Sequence, residues 1–267
     1  MIQISIQSNK IIFENSSKLR FKFLLKLGGS SGFGKALAER LVSHGCRVVL
    51  GDISAKQGAE VESLLNSKNP NSCLFVKCDV TKRQEYINLF EAAVKKFGAI
   101  DIVVNNAGIS EPSSFYDNPD DLWVKVVDVN MTAMILGCRL GVAYFTASKR
   151  PGVIVNTSSM SAFVPLSPQP VYSATKVAIV HFTKSLGFLD GESNIRVNAI
   201  CPSFARTALI KNIEGIDELP EEVFVTVDAV VDAFMLAITD DSLAGDIVTV
   251  TSNKGVAVDG RDEEAKL

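Results

Sequence analysis

The chain has 267 residues, with 27 Lys and Arg against 30 Asp and Glu, a formal net charge of −3, and 47% hydrophobic against 21% charged residues. That length suits one large α/β domain, the composition excludes a disordered tail, and the slightly acidic balance leaves no footprint for nucleic acid or an anionic membrane. Five scattered cysteines (Cys46, Cys73, Cys78, Cys138, Cys201) and two histidines (His44, His181) form no C-x-x-C or Cys/His cluster, which argues against a disulfide framework and a metal site.

No apolar run approaches the ~20 residues that span a bilayer, and the free-thiol pattern points to a reducing, cytoplasmic compartment. In chain order, the first 27 residues are atypical. A strand over 19–27 should lead into the glycine-rich turn that follows, yet Arg20, Lys22 and Lys26 put three cations on one of its faces. A strand buried on both sides holds unpaired ammonium groups only at high cost. Residues 1–27 are therefore set apart as an N-terminal segment with a doubtful first strand. Basic and acid-poor, the segment has the look of a transit peptide, but it overlaps a strand that the domain needs. Residues 28–267 are read as one domain.

Beyond residue 27, strands are predicted at 47–51, 74–77, 100–105, 153–157, 196–201 and 246–251, and helices notably at 34–44, 84–97, 120–144, 172–188 and 227–237. Several strand runs are apolar almost throughout, as in sheets covered on both faces. The alternation, without a linker or internal repeat, predicts a single-domain α/β fold: a doubly wound parallel sheet with helices on both faces.

Two clusters carry chemistry. Gly28-Gly29-Ser30-Ser31-Gly32-Phe33-Gly34 precedes a helix, and glycines there let the backbone approach a pyrophosphate at the helix N-terminus. Asp52, 24 positions after Gly28 and at the end of the next strand, can accept both ribose hydroxyls and would repel a 2′-phosphate, so NAD is favoured over NADP. Tyr172 and Lys176 lie four apart on one helix face. A tyrosine ionises near pH 10, and a neighbouring cation lowering that by ~2–3 units would supply roughly 3–4 kcal/mol.

The chain resembles the short-chain dehydrogenase/reductase family, a Rossmann-fold family. Gly28, Gly32 and Gly34 match its T-G-x-x-x-G-x-G turn, with Leu27 in place of threonine, and Asn105-Asn106-Ala107-Gly108 matches its N-N-A-G. Asp79 and Val80 match the segment near the adenine. Pro202 and Thr207 match the loop over the nicotinamide, where Ser203 replaces the usual glycine. Asn130 and Ser159, the latter thirteen positions before Tyr172, fall where the family keeps its catalytic asparagine and serine. Gln169-Pro170-Val171-Tyr172, the run 197–202, and the ending 240–243 followed by 251–255 look most similar to the NAD-dependent hydroxyprostaglandin dehydrogenase branch.

The resemblance implies a secondary-alcohol oxidoreductase using NAD. Tyr172 would be the base, Ser159 would hold the reacting oxygen, Lys176 would tune the phenol and hold the ribose, and Asn130 would position a relay water. Ser30, Ser31, Phe33, Asn106, Ala107, Gly108 and Phe204 would join Gly28, Gly32, Gly34, Asp52, Asp79, Val80, Tyr172, Lys176, Pro202 and Thr207 around the cofactor. Gln169 would meet the substrate beside Ser159 and Tyr172. Phe163, Val164, Phe204 and Leu209 are candidates for the substrate wall, with core packing an equal account of each, and 208–227 should cap the substrate. A homodimer or homotetramer through helices 120–144 and 172–188 is expected, with a small alcohol or ketone as partner. An NADP-dependent carbonyl reductase and a cofactor-binding relative without catalysis stay open as alternatives.

Overall fold

The computed structural model describes residues 3–7, 10–14, 23–111, 115, 121–167, 169–211, 213 and 215–259. An antiparallel hairpin of β1 (Gln3–Gln7) and β2 (Lys10–Glu14) comes first. The remaining strands join one sheet. They are β3 (Phe23–Leu27), β4 (Arg47–Asp52), β5 (Cys73–Lys77), β6 (Ile102–Asn105), β7 (Gly152–Thr157), β8 (Ile195–Pro202), β9 (Ile247–Thr251) and β10 (Gly255–Val258). Their order is β10-β9-β8-β7-β6-β3-β4-β5. All neighbours pair in parallel except β10, which turns back on β9. The expected doubly wound sheet is present, with this antiparallel edge added to it.

β3 lies between β4 and β6. The chain winds outward from β3 to β5, then crosses back to β6 and winds the other way. The crevice of such a sheet opens at the carboxyl ends of the two strands where the winding reverses, which are β3 and β6. Of the cationic positions in the predicted first strand, Arg20 and Lys22 lie outside the described residues, as does Asp120 at the start of a predicted helix.

Helices α1 (Gly32–Ser43), α2 (Ala55–Lys68) and α8 (Val227–Thr239) cover one face, where Leu37, Leu41, Val61 and Phe234 share a core. On the other face lie α3 (Arg83–Phe97), α5 (Ala133–Ser148) and α6 (Pro170–Ser185), whose Leu89, Phe145 and Ile179 pack together. Two short helices, α4 (Leu122–Val127) and α7 (Leu189–Ser193), complete the set. Each fully buried Leu or Phe here contributes roughly 1.5–3 kcal/mol relative to exposure.

α4 runs through a π turn (Asp128–Thr132) straight into α5. By length and composition the continuous helix Leu122–Ser148 could cross a membrane, but Lys125, Asp128 and Arg139 interrupt it, so it holds no uninterrupted apolar run of ~20 residues. Its apolar character has a local reason. Val126, Ala133, Met134, Cys138 and Phe145 are buried within the fold, and Gly137 lies so close to Asn105 and the Tyr86 hydroxyl that a Cβ would collide with both.

That close approach makes room for a buried polar chain. The Tyr86 hydroxyl donates to Asn105 Oδ1 at 2.7 Å, Asn105 Nδ2 to Asn156 Oδ1 at 2.8 Å, and Asn156 Nδ2 to Thr183 Oγ1 at 3.1 Å. It crosses α3, β6, β7 and α6 with its polar groups paired, as a buried network must be to avoid a net cost.

Candidate active site

At the carboxyl end of β3 the chain turns through Gly28, whose φ of 63° is in the left-handed region and whose added Cβ would sit 3.0 Å from Ala107 Cα. A side chain is thus excluded twice, by conformation and by space. At Gly34 a Cβ would collide with the Gly28 carbonyl oxygen, so α1 starts in direct contact with the turn. Asp52, ending β4, accepts from Ser30 N and from Ser54 N, both at 3.0 Å. Asn106 Nδ2 donates to Gly28 O at 3.1 Å, which ties the end of β6 to the same turn. The buried Ser30 hydroxyl has no hydrogen-bond partner among the described residues.

Above the turn lies a cavity of about 600 Å³. Gly28, Ser31, Gly32 and Phe33 line one end, with Asn106, Ala107 and Gly108 from the β6 loop. Pro202, ending β8, and Phe204 and Thr207, from the loop after it, line another side. Ser203 is not among the described residues of positive φ, so serine fits where glycine was expected. Ser30, Gly34, Asp52, Asp79 and Val80 are not in the cavity wall. Gly34 serves the packing of α1, and Val80 is a buried neighbour of Tyr86.

Ser159, Tyr172 and Lys176 come together in this wall. The Ser159 hydroxyl stands near enough to the Tyr172 phenol to favour its ionisation. Lys176 Nζ lies 5.4 Å from the centre of the Tyr172 ring and donates to Thr157 O at 2.9 Å. The neighbouring Ser158 hydroxyl donates to Lys176 O at 2.7 Å, so it is Ser159 that meets the phenol, as the spacing to Tyr172 implies.

The electrostatics reverse one expectation. Burial pushes the Tyr172 phenol up to about 12, against the lowering influence of the nearby Ser159 hydroxyl. The same desolvation draws the Lys176 ammonium down to about 8. The expected cation-lowered phenol is therefore absent here: both groups are buried, burial disfavours each charged form, and the ammonium bonds a carbonyl rather than the phenol.

Asn130, buried in the π turn, exchanges two hydrogen bonds with Ile109, Oδ1 accepting and Nδ2 donating, each at 2.9 Å. Gln169 is buried at the cavity wall. Its Nε2 donates to Glu111 O at 3.3 Å, while Oε1 has no partner among the described residues. Of the four wall candidates, Val164, Phe204 and Leu209 line the cavity. Phe163 does not and is 41% exposed; it stands at the end of a 3₁₀ turn (Met160–Ala162) that directs its neighbours Met160 and Ser161 inward instead. Leu166, Ile210 and Ile213 add apolar wall that the sequence did not single out.

A family model described as short chain dehydrogenase matches residues 22–216. The chain belongs to the short-chain dehydrogenase family. Among short-chain dehydrogenases and related enzymes, it is 33% identical over 254 residues to "15-hydroxyprostaglandin dehydrogenase [NAD(+)]" of Macaca fascicularis, covering 88% of this chain and 92% of that protein. It is 35% identical over 191 residues to "3beta-hydroxysteroid dehydrogenase 1" of Eggerthella lenta, covering 72% and 73%. Among solved structures, 3-ketoacyl-(acyl-carrier-protein) reductase from Brucella melitensis complexed with NADH superposes with a TM-score of 0.79 at 28% identity, covering 87% of this chain and 98% of that one. The expected family and branch are thus upheld. As a short-chain dehydrogenase the chain is an oxidoreductase of a family that binds nicotinamide cofactors. Glu111, whose carboxyl accepts from the Tyr172 backbone, is the site residue that the family's motifs did not single out.

Proposed function

We propose that the chain is an NAD-dependent dehydrogenase interconverting a secondary alcohol and its ketone, with Tyr172 handling the proton. The observation that carries this reading is the convergence of Ser159, Tyr172 and the buried Lys176 in one wall of the cavity.

The residues present fit a nicotinamide dinucleotide. A pyrophosphate would sit at the start of α1, whose first N–H groups find no acceptor within the helix, and the Ser30 hydroxyl lacks a partner among the described residues. Asp52 is held against the turn by Ser30 N, where a carboxylate accepts ribose hydroxyls and repels a 2′-phosphate; this favours NAD. Bound there, the cofactor would supply the hydride acceptor. The chain's own groups manage the oxygen: Ser159 holds it by hydrogen bond, and Tyr172 takes the carbinol proton or returns it to the ketone. Lys176, braced by Thr157 O, sets the local field. Gly108 borders the space between Lys176 and Asn130, since a Cβ there would lie 3.6 Å from Lys176 Nζ and 3.5 Å from Asn130 Oδ1. A relay water of the kind the family resemblance assigns to Asn130 would lie in that space beside the lysine.

The apolar wall of Met160, Leu166, Leu209, Ile210 and Ile213 suits a lipid-like hydroxy compound, in keeping with the hydroxyprostaglandin and hydroxysteroid names of the relatives. Exposed Trp123 and Val124 on α4 and Val177 on α6 support pairing of copies as a homodimer or homotetramer. The five cysteines, all buried and none in a disulfide among the described residues, support a reducing, cytoplasmic setting.

The test is a panel of secondary alcohols with NAD and NADP, run on the wild type and on Tyr172→Phe. Turnover should prefer NAD and fall by ~10²–10⁴ in the variant, while NADH fluorescence titration gives unchanged affinity. Retained turnover in Tyr172→Phe would remove the phenol from the mechanism.

A further inference from the structure

Helix α6, which carries both Tyr172 and Lys176, starts without a cap of its own. Its N-cap residue, Gln169, makes no side-chain capping bond. The first N–H groups of a helix find no acceptor within it, and Tyr172, the third helical residue, carries one of them. The acceptor comes from 61 residues earlier: Glu111 Oε2 accepts from Tyr172 N at 2.8 Å. Glu111 is 6% exposed, and its own carbonyl accepts from Gln169 Nε2.

Glu111 ends a strap anchored along its length. Asn106 bonds the glycine turn, Ile109 is clamped by Asn130, and Ser110 Oγ donates to Leu209 O at 3.3 Å. An acidic side chain at a helix N-terminus is also aligned with the helix dipole. The strap thus links the cofactor turn to the start of the catalytic helix, through the Glu111 carboxylate on Tyr172 N and the Gln169 amide on Glu111 O.

We infer that Glu111 is a positioning residue: by capping α6 from the β6 loop it sets the height of Tyr172 against Ser159 and the presentation of Gln169. Its effect on turnover rests on the dehydrogenase reading of the site; the cap itself does not.

Glu111→Ala and Glu111→Gln separate these roles in the full-length protein, because glutamine keeps an acceptor oxygen at the same reach. Amide hydrogen exchange over 169–176 reads the cap directly. Steady-state kinetics at saturating NAD reads its consequence. In Glu111→Ala, exchange at Tyr172 should rise ~10-fold or more, and kcat should fall ~10–100-fold, the scale of a misplacement near 1 Å. NADH affinity should stay within about 2-fold, and Glu111→Gln should restore both readouts to within about 3-fold. Unchanged exchange in Glu111→Ala overturns the inference, and so does a glutamine variant as impaired as the alanine one. If alanine is not tolerated, Glu111→Asp supplies the contrast, its carboxyl one methylene short: faster exchange supports the cap and unchanged exchange overturns it. A wild type that turns over no alcohol sinks the dehydrogenase reading and leaves exchange alone to decide the cap.

Discussion

Replacing Lys176 by methionine should stabilise the protein at neutral pH while abolishing turnover. Lys176 is 4% exposed, and burial draws its ammonium from an ordinary 10.5 to about 8. At about 1.36 kcal/mol per pKa unit, holding that charge costs the fold about 3 kcal/mol. Below about pH 8 both folded and unfolded chains carry the proton, and the cost is complete. Between about 8 and 10.5 the unfolded chain keeps a proton that the folded chain has released, so wild-type stability climbs with pH; above 10.5 the cost is gone. Methionine binds no proton in either state, but it forfeits the 2.9 Å bond to Thr157 O, about 1 kcal/mol at every pH. The variant should be more stable by about 2 kcal/mol near pH 7 and lose that advantage near pH 10. Urea unfolding of both proteins at the two pH values measures it. A difference between wild type and variant that does not change with pH would refute the buried-cation argument.

Gly34→Ala pushes a methyl into the Gly28 carbonyl; NADH affinity should drop ~10-fold or more by fluorescence titration, with circular dichroism unchanged. With the phenol pushed up to about 12, alcohol oxidation should accelerate as pH rises through the neutral and mildly alkaline range, because the ionised fraction grows, while ketone reduction does not; a flat oxidation profile would count against Tyr172 as the base. Tyr86→Phe leaves Asn105 Oδ1 without the donor it has at 2.7 Å, and denaturant unfolding should show a loss of about 1–3 kcal/mol.

The winding of the sheet was legible in the sequence because its strands and most of its helices bury continuous or strongly periodic apolar positions. Helix α2 was not, since only Gly58, Val61 and Leu65 of its fourteen residues are buried, too thin a stripe to stand out. The β10 edge, four half-buried residues after a turn, left a similarly faint signal. Tyr172 and Lys176 could be paired because their spacing puts them on one helix face, and Ser159 was found through the resemblance to the short-chain dehydrogenase family. The ionisation of the phenol could not, because it depends on how deeply the fold buries the pair. Nor could Glu111, whose partner is a backbone N–H 61 residues away and has no side-chain signature. Phe163 misled because adjacent residues in a tight turn point to opposite sides.

The chain of amide and hydroxyl groups from Tyr86 to Thr183 contains no carboxylate or ammonium, and burial holds the Tyr86 hydroxyl well above its usual ionisation range. Acid and mild alkali therefore leave it untouched, so the registration of α6 against α3 and the two central strands is indifferent to proton concentration. That network therefore adds no pH response of its own to turnover.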